Sequence, residues 1–538
     1  MRKSVVVSLG AAAVGLAATG VLTSGAGEDW EALGKRWWAH VQYLADDKLE
    51  GRDTGSRGFA KAAAYVTEEF RRAGLKPGGT RGYAQPVEFA ASQLDEANSS
   101  LELLRGGKAE PVKFGEEAFL TVNSDTAKET EAEAVFAGYG LVVPELKYDD
   151  LAGLDVKGKI VFFVTGGPPD MPGPVKAHFQ SQEERRRVLT SAGAIGVASI
   201  QNPKAAEVPW SRTAGGRFNP RMEPAPEIPP TKPITGYRFS MTVNPEHAEK
   251  FFAGSGHGFE EILAAINTGK PLPHFPLAVK VHARVAAKRW TVKSQNTVGV
   301  WRGSDPAVSD EYVVISAHLD HLGVGEPVNG DRIYNGAMDD ASGVASLIEI
   351  ARALKESGAK PRRSILFVAV TGEEKGLLGS RYFAEHPTVP AKNILADLNM
   401  DMFLPLFPLK YLEVQGLGES TLGDDLREVA AARGVEVQAD KEPEHNRFIR
   451  SDQYSFIRKG IPALAFKFGY LPGTPEEKTF QAWYRERYHG PTDDANQPVD
   501  AAAAAQFNAI LEALALRVAD AEKRPEWKQG SFFRRFAQ

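Results

Sequence analysis

The chain has 538 residues, of which 43% are hydrophobic and 25% are charged, values that are typical of folded proteins and argue against a disordered chain. Because a single hydrophobic core rarely grows past roughly 250–300 residues, we expect at least two domains. The net charge of −5, with acids and bases interspersed, argues against nucleic-acid binding, and the absence of cysteine excludes disulfides, thiolate metal sites and a cysteine nucleophile.

The first 30 residues, MRKSVVVSLGAAAVGLAATGVLTSGAGEDW, contain two basic residues, then an apolar stretch, then small residues. This order is typical of a secretory signal peptide. Ser24-Gly25-Ala26 fits the small-x-small cleavage rule, so we predict a signal peptide over residues 1–26 and a mature chain that starts near Gly27. An uncleaved membrane anchor is the alternative. We expect an exported protein, periplasmic or extracellular, with no stable membrane association after cleavage.

Residues 30–80 predict two helices, because apolar residues recur near every 3.6 positions in WEALGKRWWAHVQYLADD and in GSRGFAKAAAYVTEEFRRAGL. Gly74 follows the second helix and would end it. Between the two helices lies a polar, glycine-rich loop, LEGRDTGSRG.

Between about 130 and 285 the pattern changes to short β-type runs, such as AEAVFAGYGLV and GKIVFFVTG, and prolines crowd around 166–235. This is typical of a β-rich domain, which we expect over residues 130–285 as an insertion. The rest would be a discontinuous α/β domain, residues 27–129 and 286–525, followed by a C-terminal tail, residues 526–538. The insertion could be a passive spacer, but we favour a lid or wall that limits access to the site.

From about residue 295 apolar strands alternate with helices. The predicted strands are EYVVISAH, RSILFVAVTG, NILADLNMDM, KYLEVQG, VEVQAD and IPALAFKF, and the predicted helices are ASGVASLIEIARALKESG, GLLGSRYFAEH, TLGDDLREVAAARG and DAAAAAQFNAILEALALRVADAEK. Near-continuous apolar strands between helices predict an α/β fold, with a mixed, mostly parallel sheet covered on both faces. In such sheets ligands bind outside the carboxyl ends of the strands.

Polar residues follow the strands at these ends. The candidates are His318, Asp320, Asp339, Asp340, Glu373, Glu374, Asp401, Tyr488, His489 and Asp493. Each has an ordinary interpretation by itself: Asp339-Asp340 would cap a helix, and Glu373-Glu374 would be solvated surface. Together they supply histidine and carboxylate ligands for divalent ions and a carboxylate that remains free as a general base.

The chain resembles the two-zinc exopeptidases, a family of aminopeptidases that also includes glutamate carboxypeptidases and glutaminyl cyclases. It is most similar to bacterial exported members that carry an inserted protease-associated (PA) domain. The stretches that carry the resemblance are YLADDKLEGRDTGSRG, FAGYGLVVPELKYDDLAGLDVKGKIVFF, SAHLDHLG, NGAMDDASG, TGEEKGLLGS, NMDM, RSDQYSF and YHGPTDD. They span almost the whole mature chain.

The resemblance implies two zinc ions per chain. It implies that His318 and Asp401 bind one ion, that Glu374 and His489 bind the other, and that Asp339 bridges both. Glu373 would be the general base, and a cis peptide bond would follow Asp339.

The resemblance also implies supporting roles for five further residues. Asp320 would orient the ring of His318, and Asp493 would support the metal ligands from behind. Tyr488 would donate a hydrogen bond to the oxyanion, and Arg450 and Asp452 would contact the substrate. The family commonly has Ser-Asp-His where this chain has Ser451-Asp452-Gln453, which leaves local pocket contacts open, and His321 receives no role.

The function that we expect is an exported metallo-aminopeptidase acting on peptide substrates. A carboxypeptidase or dipeptidase of the same fold is the main alternative, because Arg450 could bind a substrate carboxylate. A glutaminyl cyclase, which uses one zinc ion, is disfavoured by the five-ligand set. An inactive PA-domain binding protein is disfavoured by the presence of Glu373. The sequence leaves the native metal, the preferred residue and the oligomeric state open.

Overall fold

A computed structural model describes residues 28–206, 208–225, 237–445 and 447–537. The predicted signal peptide lies outside the described residues. The α-helices are α1 (Trp30–Leu44), α2 (Arg57–Arg72), α3 (Gly173–Gln180), α4 (Gln182–Ser191), α5 (Trp210–Gly215), α6 (Glu249–Phe252), α7 (Phe259–Thr268), α8 (Ser342–Ser357), α9 (Leu378–Glu385), α10 (Leu422–Ala431), α11 (Gln453–Ile457), α12 (Pro475–Glu486) and α13 (Ala501–Asp520).

The larger sheet of the described chain has ten strands. They are β1 (Lys76–Pro77), β2 (Ala84–Leu94), β11 (Arg221–Pro224), β14 (Ala287–Trp301), β15 (Tyr312–His318), β18 (Ser364–Val370), β19 (Ile394–Asn399), β20 (Tyr411–Gln415), β21 (Glu436–Ala439) and β22 (Ala463–Gly469). Their order is β11-β2-β14-β18-β15-β19-β22-β20-β21, with β1 beside β14. The central strands β18, β15, β19 and β22 are parallel, and β2, β14 and β20 run antiparallel to a neighbour. The mixed α/β fold predicted from the sequence is confirmed.

The central strands are buried along their whole length, as their near-continuous apolar sequences predict. Helices cover both faces of the sheet, and α1, α8 and α13 pack against one another on one side. By length and composition α13 alone among the described helices could span a membrane, but Phe507, Leu511 and Leu514 bury its apolar face in the core. The sheet therefore holds the ends of its parallel strands rigidly.

A second sheet of eight strands lies apart from the first. Its strands are β3 (Ser100–Arg105), β4 (Lys108–Pro111), β5 (Ala118–Leu120), β6 (Glu129–Ala137), β9 (Ile160–Val164), β10 (Gly196–Ile200), β12 (Phe239–Val243) and β13 (His274–Arg284). Their order is β4-β3-β13-β6-β9-β10-β12-β5, and they enclose a hydrophobic core of their own. Two short ribbons complete the strands: β7 (Val142–Val143) with β8 (Tyr148–Asp149), and β16 (Gly323–Val328) with β17 (Asp331–Tyr334).

The second sheet begins earlier in the chain than the predicted insertion boundary at residue 130. Residues 100–120 belong to it, because β3 pairs with β13 and β5 pairs with β12. Conversely, β11 lies within the predicted insertion but pairs with β2 in the larger sheet. The assignment of this region as a PA domain stays a prediction.

Candidate active site

The predicted site residues come together at one edge of the larger sheet. His318 ends β15, Glu373 and Glu374 follow β18, and Asp401 follows β19. Because these three strands are parallel, their carboxyl ends meet at the same edge. Asp339 and His489 reach this edge from the segment before α8 and from the loop after α12.

Asp339 lies at the centre of the cluster. One of its carboxylate oxygens, Oδ1, is 3.1 Å from Nε2 of His318, and the other, Oδ2, is 3.3 Å from Nε2 of His489. Asp401 approaches the same nitrogen of His318 at 3.6 Å, and Glu374 approaches His489 at 3.3 Å. The five residues that the resemblance assigns as ligands therefore converge, with Asp339 between the two halves.

The two adjacent aspartates before α8 have different surroundings. Asp340 accepts hydrogen bonds from the main-chain amides of Gly343 at 2.9 Å and His318 at 3.2 Å, so its carboxylate is bound to the backbone beside the start of α8. Asp339 points the other way, and its Oδ2 atom has no hydrogen-bond partner among the described residues. The peptide bond between them is cis, as the resemblance implies. Asp339 therefore keeps a carboxylate oxygen that no donor of the described protein uses, whereas both oxygens of Asp340 accept hydrogen bonds from main-chain amides.

Unpartnered buried atoms test whether a metal ion fits. Buried polar atoms are normally hydrogen-bonded. Oδ2 of Asp339, Oε1 of Glu374 and Oδ1 of Asp401 have no such partner within the described chain. Two groups of side chains bring possible ligand atoms within 4.8 Å of one another: His318, Asp340 and Asp401, and His321, Asp339 and Glu374. Carboxylate oxygens and imidazole nitrogens are ligands for zinc, so the residues fit a pair of divalent ions.

His321, which received no role from the sequence, belongs to this cluster. Its side chain is fully buried, and its Nδ1 atom lies 2.8 Å from Oε1 of Glu374 and 3.9 Å from Oδ2 of Asp339. Neither ring nitrogen has a hydrogen-bond partner in the described part of the chain. The position of His321 in a polar loop gave no sign of this, because a histidine in such a loop usually faces solvent.

Asp320 supports the site in a different way from the one predicted. The ring of His318 bonds through Nδ1 to the main-chain carbonyl of Asp320 at 3.0 Å, not to its carboxylate. The carboxylate instead accepts hydrogen bonds from the hydroxyl of Thr54 at 2.9 Å and from the amide of Glu373 at 3.2 Å. Asp320 therefore orients the ligand histidine with its backbone and fixes the base-bearing loop with its side chain.

Arg52 lies beneath the same loop and is fully buried. Its guanidinium donates to the carbonyl oxygens of Leu319 at 2.9 Å, Asn335 at 2.7 Å and Gly336 at 3.0 Å, and also to that of Leu44. Burial lowers the pKa of Arg52 to about 10, although the site carboxylates act against this shift. The glycine-rich loop predicted between the first two helices thus anchors both segments that flank the cluster.

The electrostatics of the cluster favour positive charge. Burial alone would lower the pKa of His318, but hydrogen bonds with Asp339 and Asp401 raise it well above its ordinary value. Burial likewise opposes protonation of His489, yet the charge of Glu374 raises its pKa to about 10. Burial alone would raise the pKa of Asp339, but the three histidines hold it well below the usual range. A site that stabilises protons in this way would also attract metal cations.

The pKa values of the adjacent residues Glu373 and Glu374 shift in opposite directions. Removal of water by the surrounding protein, together with the charges of Glu374 and Asp401, raises the pKa of Glu373 well above the ordinary value despite the attraction of His318. Burial alone would raise the pKa of Glu374, but the charge of His489 and the side-chain contacts with His321 and His489 together lower it. Adjacent carboxyl groups with opposite shifts suit one proton carrier and one ligand.

The remaining predicted residues, Tyr488, Arg450 and Asp452, differ in their exposure and in their position relative to the cavity beside the cluster. Tyr488 is half-buried, lines the cavity beside the cluster, and has its ring 3.9 Å from the ring of His489. Arg450 is exposed and lines the same cavity. Asp452, immediately before α11, has no exposed surface, and its contact with the substrate stays a prediction.

The cavity has a volume of about 700 Å³ and is open to solvent on one side. Residues from the second sheet region, including Gln180 and Arg185, line it together with Glu373 and Asp401. Arg212, on α5, donates to the main-chain carbonyl of Tyr488 at 2.6 Å. This geometry supports the interpretation that the second sheet region limits access to the site.

Residues 296–515 match the family model of "Peptidase family M28". Through this segment, which we call the M28 segment, the chain is similar to peptidase family M28. The M28 segment contains every residue of the cluster. It also contains the parallel strands β15, β18 and β19, whose carboxyl ends meet at the cluster.

Similar proteins carry peptidase names. A "Probable zinc metalloprotease" from Pyrenophora teres f. teres is 35% identical over 111 residues, which are 21% of this chain and 23% of that protein. A "Glutamate carboxypeptidase 2 homolog" from Caenorhabditis elegans is 32% identical over 192 residues, which are 33% of this chain and 21% of that protein. The matches thus span less than a quarter of the length of these curated relatives.

Solved structures of aminopeptidases match nearly the whole chain. The aminopeptidase from Aneurinibacillus sp. strain AM-1 aligns with a TM-score of 0.54 over 90% of this chain and 93% of its own, at 20% identity. At this identity the match establishes a shared fold.

Proposed function

We propose that this chain is a zinc-dependent exopeptidase that removes N-terminal residues from peptides. The observation that carries the proposal is the position of Asp339, whose two carboxylate oxygens face His318 and His489 at 3.1 and 3.3 Å. A carboxylate between two such nitrogens is the arrangement that a pair of metal ions requires. The match of residues 296–515 to peptidase family M28 supports the same reaction class.

Within this proposal His318 and Asp401 would hold one zinc ion, Glu374 and His489 the other, and Asp339 both. When bound, the ions would polarise the scissile carbonyl group and lower the pKa of a water molecule in the site. His321 lies close enough to Glu374 to fix the orientation of that carboxylate.

The protein supplies the proton transfer through Glu373. Its raised pKa suits a group that accepts a proton from the attacking water and returns it to the leaving amine. The amide of Glu373 is held by the carboxylate of Asp320, which limits the movement of this segment. Tyr488 lines the cavity beside His489 and is the proposed donor to the oxyanion of the substrate.

A carboxypeptidase or dipeptidase of the same fold is the second candidate. The exposed Arg450 lines the cavity and could bind a terminal carboxylate, and one relative is called a glutamate carboxypeptidase homolog. An aminoacyl anilide and an N-blocked dipeptide separate the two candidates. An aminopeptidase cleaves the first, which has a free amino group, and leaves the second intact, whereas a carboxypeptidase does the reverse.

Measurement of metal content together with peptidase activity tests the proposal. We expect about two zinc ions per purified chain, loss of aminoacyl-anilide hydrolysis after dialysis against a chelator, and recovery when zinc is returned. Asp339→Asn should lose both zinc and turnover, whereas Asp494→Asn, a neighbouring exchange outside the cluster, should keep both. A chain that binds no divalent metal, or that is loaded with zinc and cleaves no peptide, would overturn the proposal.

We also propose that the protein is exported, with residues 1–26 removed as a signal peptide. The basic start, apolar stretch and small residues of this segment support the proposal. N-terminal sequencing of protein recovered outside the cytoplasm should give a chain that starts near Gly27. A chain that retains its first 26 residues would contradict it.

A further inference from the structure

One wall of the cavity beside the cluster is built from polar side chains. Gln415 ends β20, Lys467 lies on β22, and Tyr484 lies on α12, and all three line the cavity. Each of them is at least nine-tenths buried, with 3%, 4% and 7% of its surface exposed. We call these three residues the donor wall. Buried polar side chains are uncommon unless something satisfies them.

The donor wall holds hydrogen-bond donors that the described protein does not use. The amide nitrogen Nε2 of Gln415 and the hydroxyl of Tyr484 have no hydrogen-bond partner among the described residues. Lys467 donates to the main-chain carbonyl of Met402 at 3.2 Å, but an ammonium group carries three N–H donors. Unused buried donors are costly in free energy, so these positions point to a ligand that accepts hydrogen bonds.

Lys467 makes no ion pair within 4 Å among the described residues, although its charge acts on the buried carboxyl groups of Glu413 and Asp440. Glu413 is the cross-strand neighbour of Lys467, but its nearest cation is Lys441 at 3.8 Å, and burial raises the pKa of Glu413 to about 7. Arg447 adds a second cation near Tyr484, with its guanidinium carbon 4.8 Å from the ring centre. Nζ of Lys467 lies 5.6 Å from the centre of the same ring. Two cations therefore lie close to the ring of Tyr484.

The donor wall is directly connected to the proposed catalytic cluster. Met402, whose carbonyl accepts from Lys467, follows Asp401 in the chain, and the cavity that the wall lines also contains Glu373. A peptide with its scissile bond at Glu373 would place a neighbouring group of the same substrate against the wall.

We propose that the donor wall is a carboxylate-binding subsite, so that the enzyme prefers peptides with a carboxylate next to the scissile bond. This rests on the proposed peptidase function. The carboxylate has two possible sources: the side chain of an N-terminal aspartate or glutamate, or the free carboxyl terminus of a dipeptide. Unused hydrogen-bond donors beside a cation recognise both, and an apolar side chain would leave the donors unsatisfied.

Substrate pairs distinguish the sources in the zinc-loaded, full-length protein. Glutamyl and glutaminyl anilides differ only in the side-chain charge, and leucyl-alanine and its amide differ only in the terminal carboxylate. We expect at least a tenfold higher kcat/KM for the charged member of one pair. Equal rates within both pairs would overturn the proposal.

Variants locate the effect. In Lys467→Met the preference within the favoured pair should fall toward one, and in Gln415→Glu, which keeps the size but adds a negative charge, it should reverse. Lys523→Met, at an exposed position, should keep the wild-type preference. Zinc content and the thermal midpoint of each variant are measured in the same preparations. If Lys467→Met does not fold, the substrate preference of Gln415→Glu tests the subsite. A preference unchanged in a folded variant would refute the subsite.

Direct binding separates failure of the subsite from failure of the proposed function. Calorimetry with glutarate on the zinc-loaded protein should show binding that weakens at least tenfold in Gln415→Glu. Binding of this kind without turnover of any peptide would refute the peptidase function and retain the subsite. Turnover without a charge preference, and with glutarate binding equal in both proteins, would refute the subsite and retain the peptidase.

Discussion

The carboxylate of Asp493 accepts a hydrogen bond from the main-chain amide of Asp339 at 3.1 Å, and its other oxygen accepts one from the amide of Met338 at 2.9 Å. Asp493 is fully buried and is itself held by Nε2 of Gln497 at 2.6 Å. Through these bonds a residue near the end of the M28 segment fixes the backbone that presents the proposed bridging ligand. The sequence predicts Asp493 only as a support for the ligands, and these contacts give that support a specific form.

Asp493→Asn should therefore weaken zinc binding and turnover together, by about 10–100-fold, which is typical when a partner of a metal ligand is lost. The new amide group would present an N–H where an acceptor is required. Zinc affinity measured by competition with a chromogenic chelator, together with anilide hydrolysis, checks this. The neighbouring Asp494→Asn is the matched control and should behave as wild type. Unchanged zinc affinity in Asp493→Asn would show that the backbone does not depend on this carboxylate.

Glu373→Gln should reduce kcat by about 10²–10⁴-fold, the range typical of a lost general base, while zinc content stays the same. The physical reason is that the amide cannot take up a proton, and that Glu373 is not among the residues whose oxygens face the histidines. Zinc analysis and steady-state kinetics on the same preparation check the split. Loss of zinc in parallel with activity would mean that Glu373 is a ligand and that the base lies elsewhere.

Much of the fold could be predicted because a strand that is buried on both faces has an apolar sequence of its own. The strands β15, β18 and β19 are near-continuous apolar runs, and the polar residues that follow them, such as His318 and Asp401, are placed at one edge by the parallel topology. Strand β14 and helix α12 were not predicted. The first half of β14 is exposed and polar, and α12 carries several charged residues, so neither has the apolar pattern used to recognise strands and helices.

The supporting contacts could not be predicted, because they join segments far apart in the chain. Thr54 reaches Asp320 across 266 residues, and Arg52 reaches the carbonyl of Gly336 across 284. Nothing in the spacing of LEGRDTGSRG encodes these partners. The role of His321 was missed for the same reason, since only the fold brings it to Glu374.

His321→Ala should lower zinc affinity about 10–100-fold, because Glu374 loses the buried imidazole at 2.8 Å that limits its orientation. A deleted ring also leaves a buried gap beside Asp339. Zinc titration and the thermal midpoint are the measurements. His257→Ala, at a half-buried position outside the M28 segment, is the control and should bind zinc normally. If His321→Ala binds zinc with wild-type affinity, the histidine is only a packing residue.

Arg52→Lys should lower the thermal midpoint of the domain that contains the M28 segment by roughly 5–10 °C. A lysine cannot donate to all the carbonyl oxygens that the guanidinium group reaches. Each buried carbonyl left without a donor costs about 1–3 kcal/mol of stability. Differential scanning calorimetry measures this shift. The nearby Arg57→Lys is the matched control, because its side chain is exposed at the start of α2. A midpoint within about 1 °C of wild type would show that Arg52 is dispensable for the loop.

The contact between α3 and α11 should weaken in acid because of His178. Its ring packs against Phe532 and Phe536 and bonds through Nδ1 to the hydroxyl of Tyr454 at 2.8 Å. Burial lowers the pKa of His178 to about 4, from about 6.5 in the unfolded chain. Between these values the unfolded state binds more protons, so stability falls as the pH drops below 6.5, and the loss is complete near pH 4.

At pH 5 this linkage amounts to about 2 kcal/mol relative to pH 7.5. His178→Phe should therefore reduce the difference in unfolding free energy between the two pH values by that amount, as measured by denaturant unfolding of the transition that involves α3. Tyr454→Phe removes the hydrogen bond but leaves the ring buried, so it should keep the wild-type pH dependence, because burial is the main cause of the lowered pKa. A pH difference that is the same in His178→Phe as in wild type would assign the acid sensitivity to other groups.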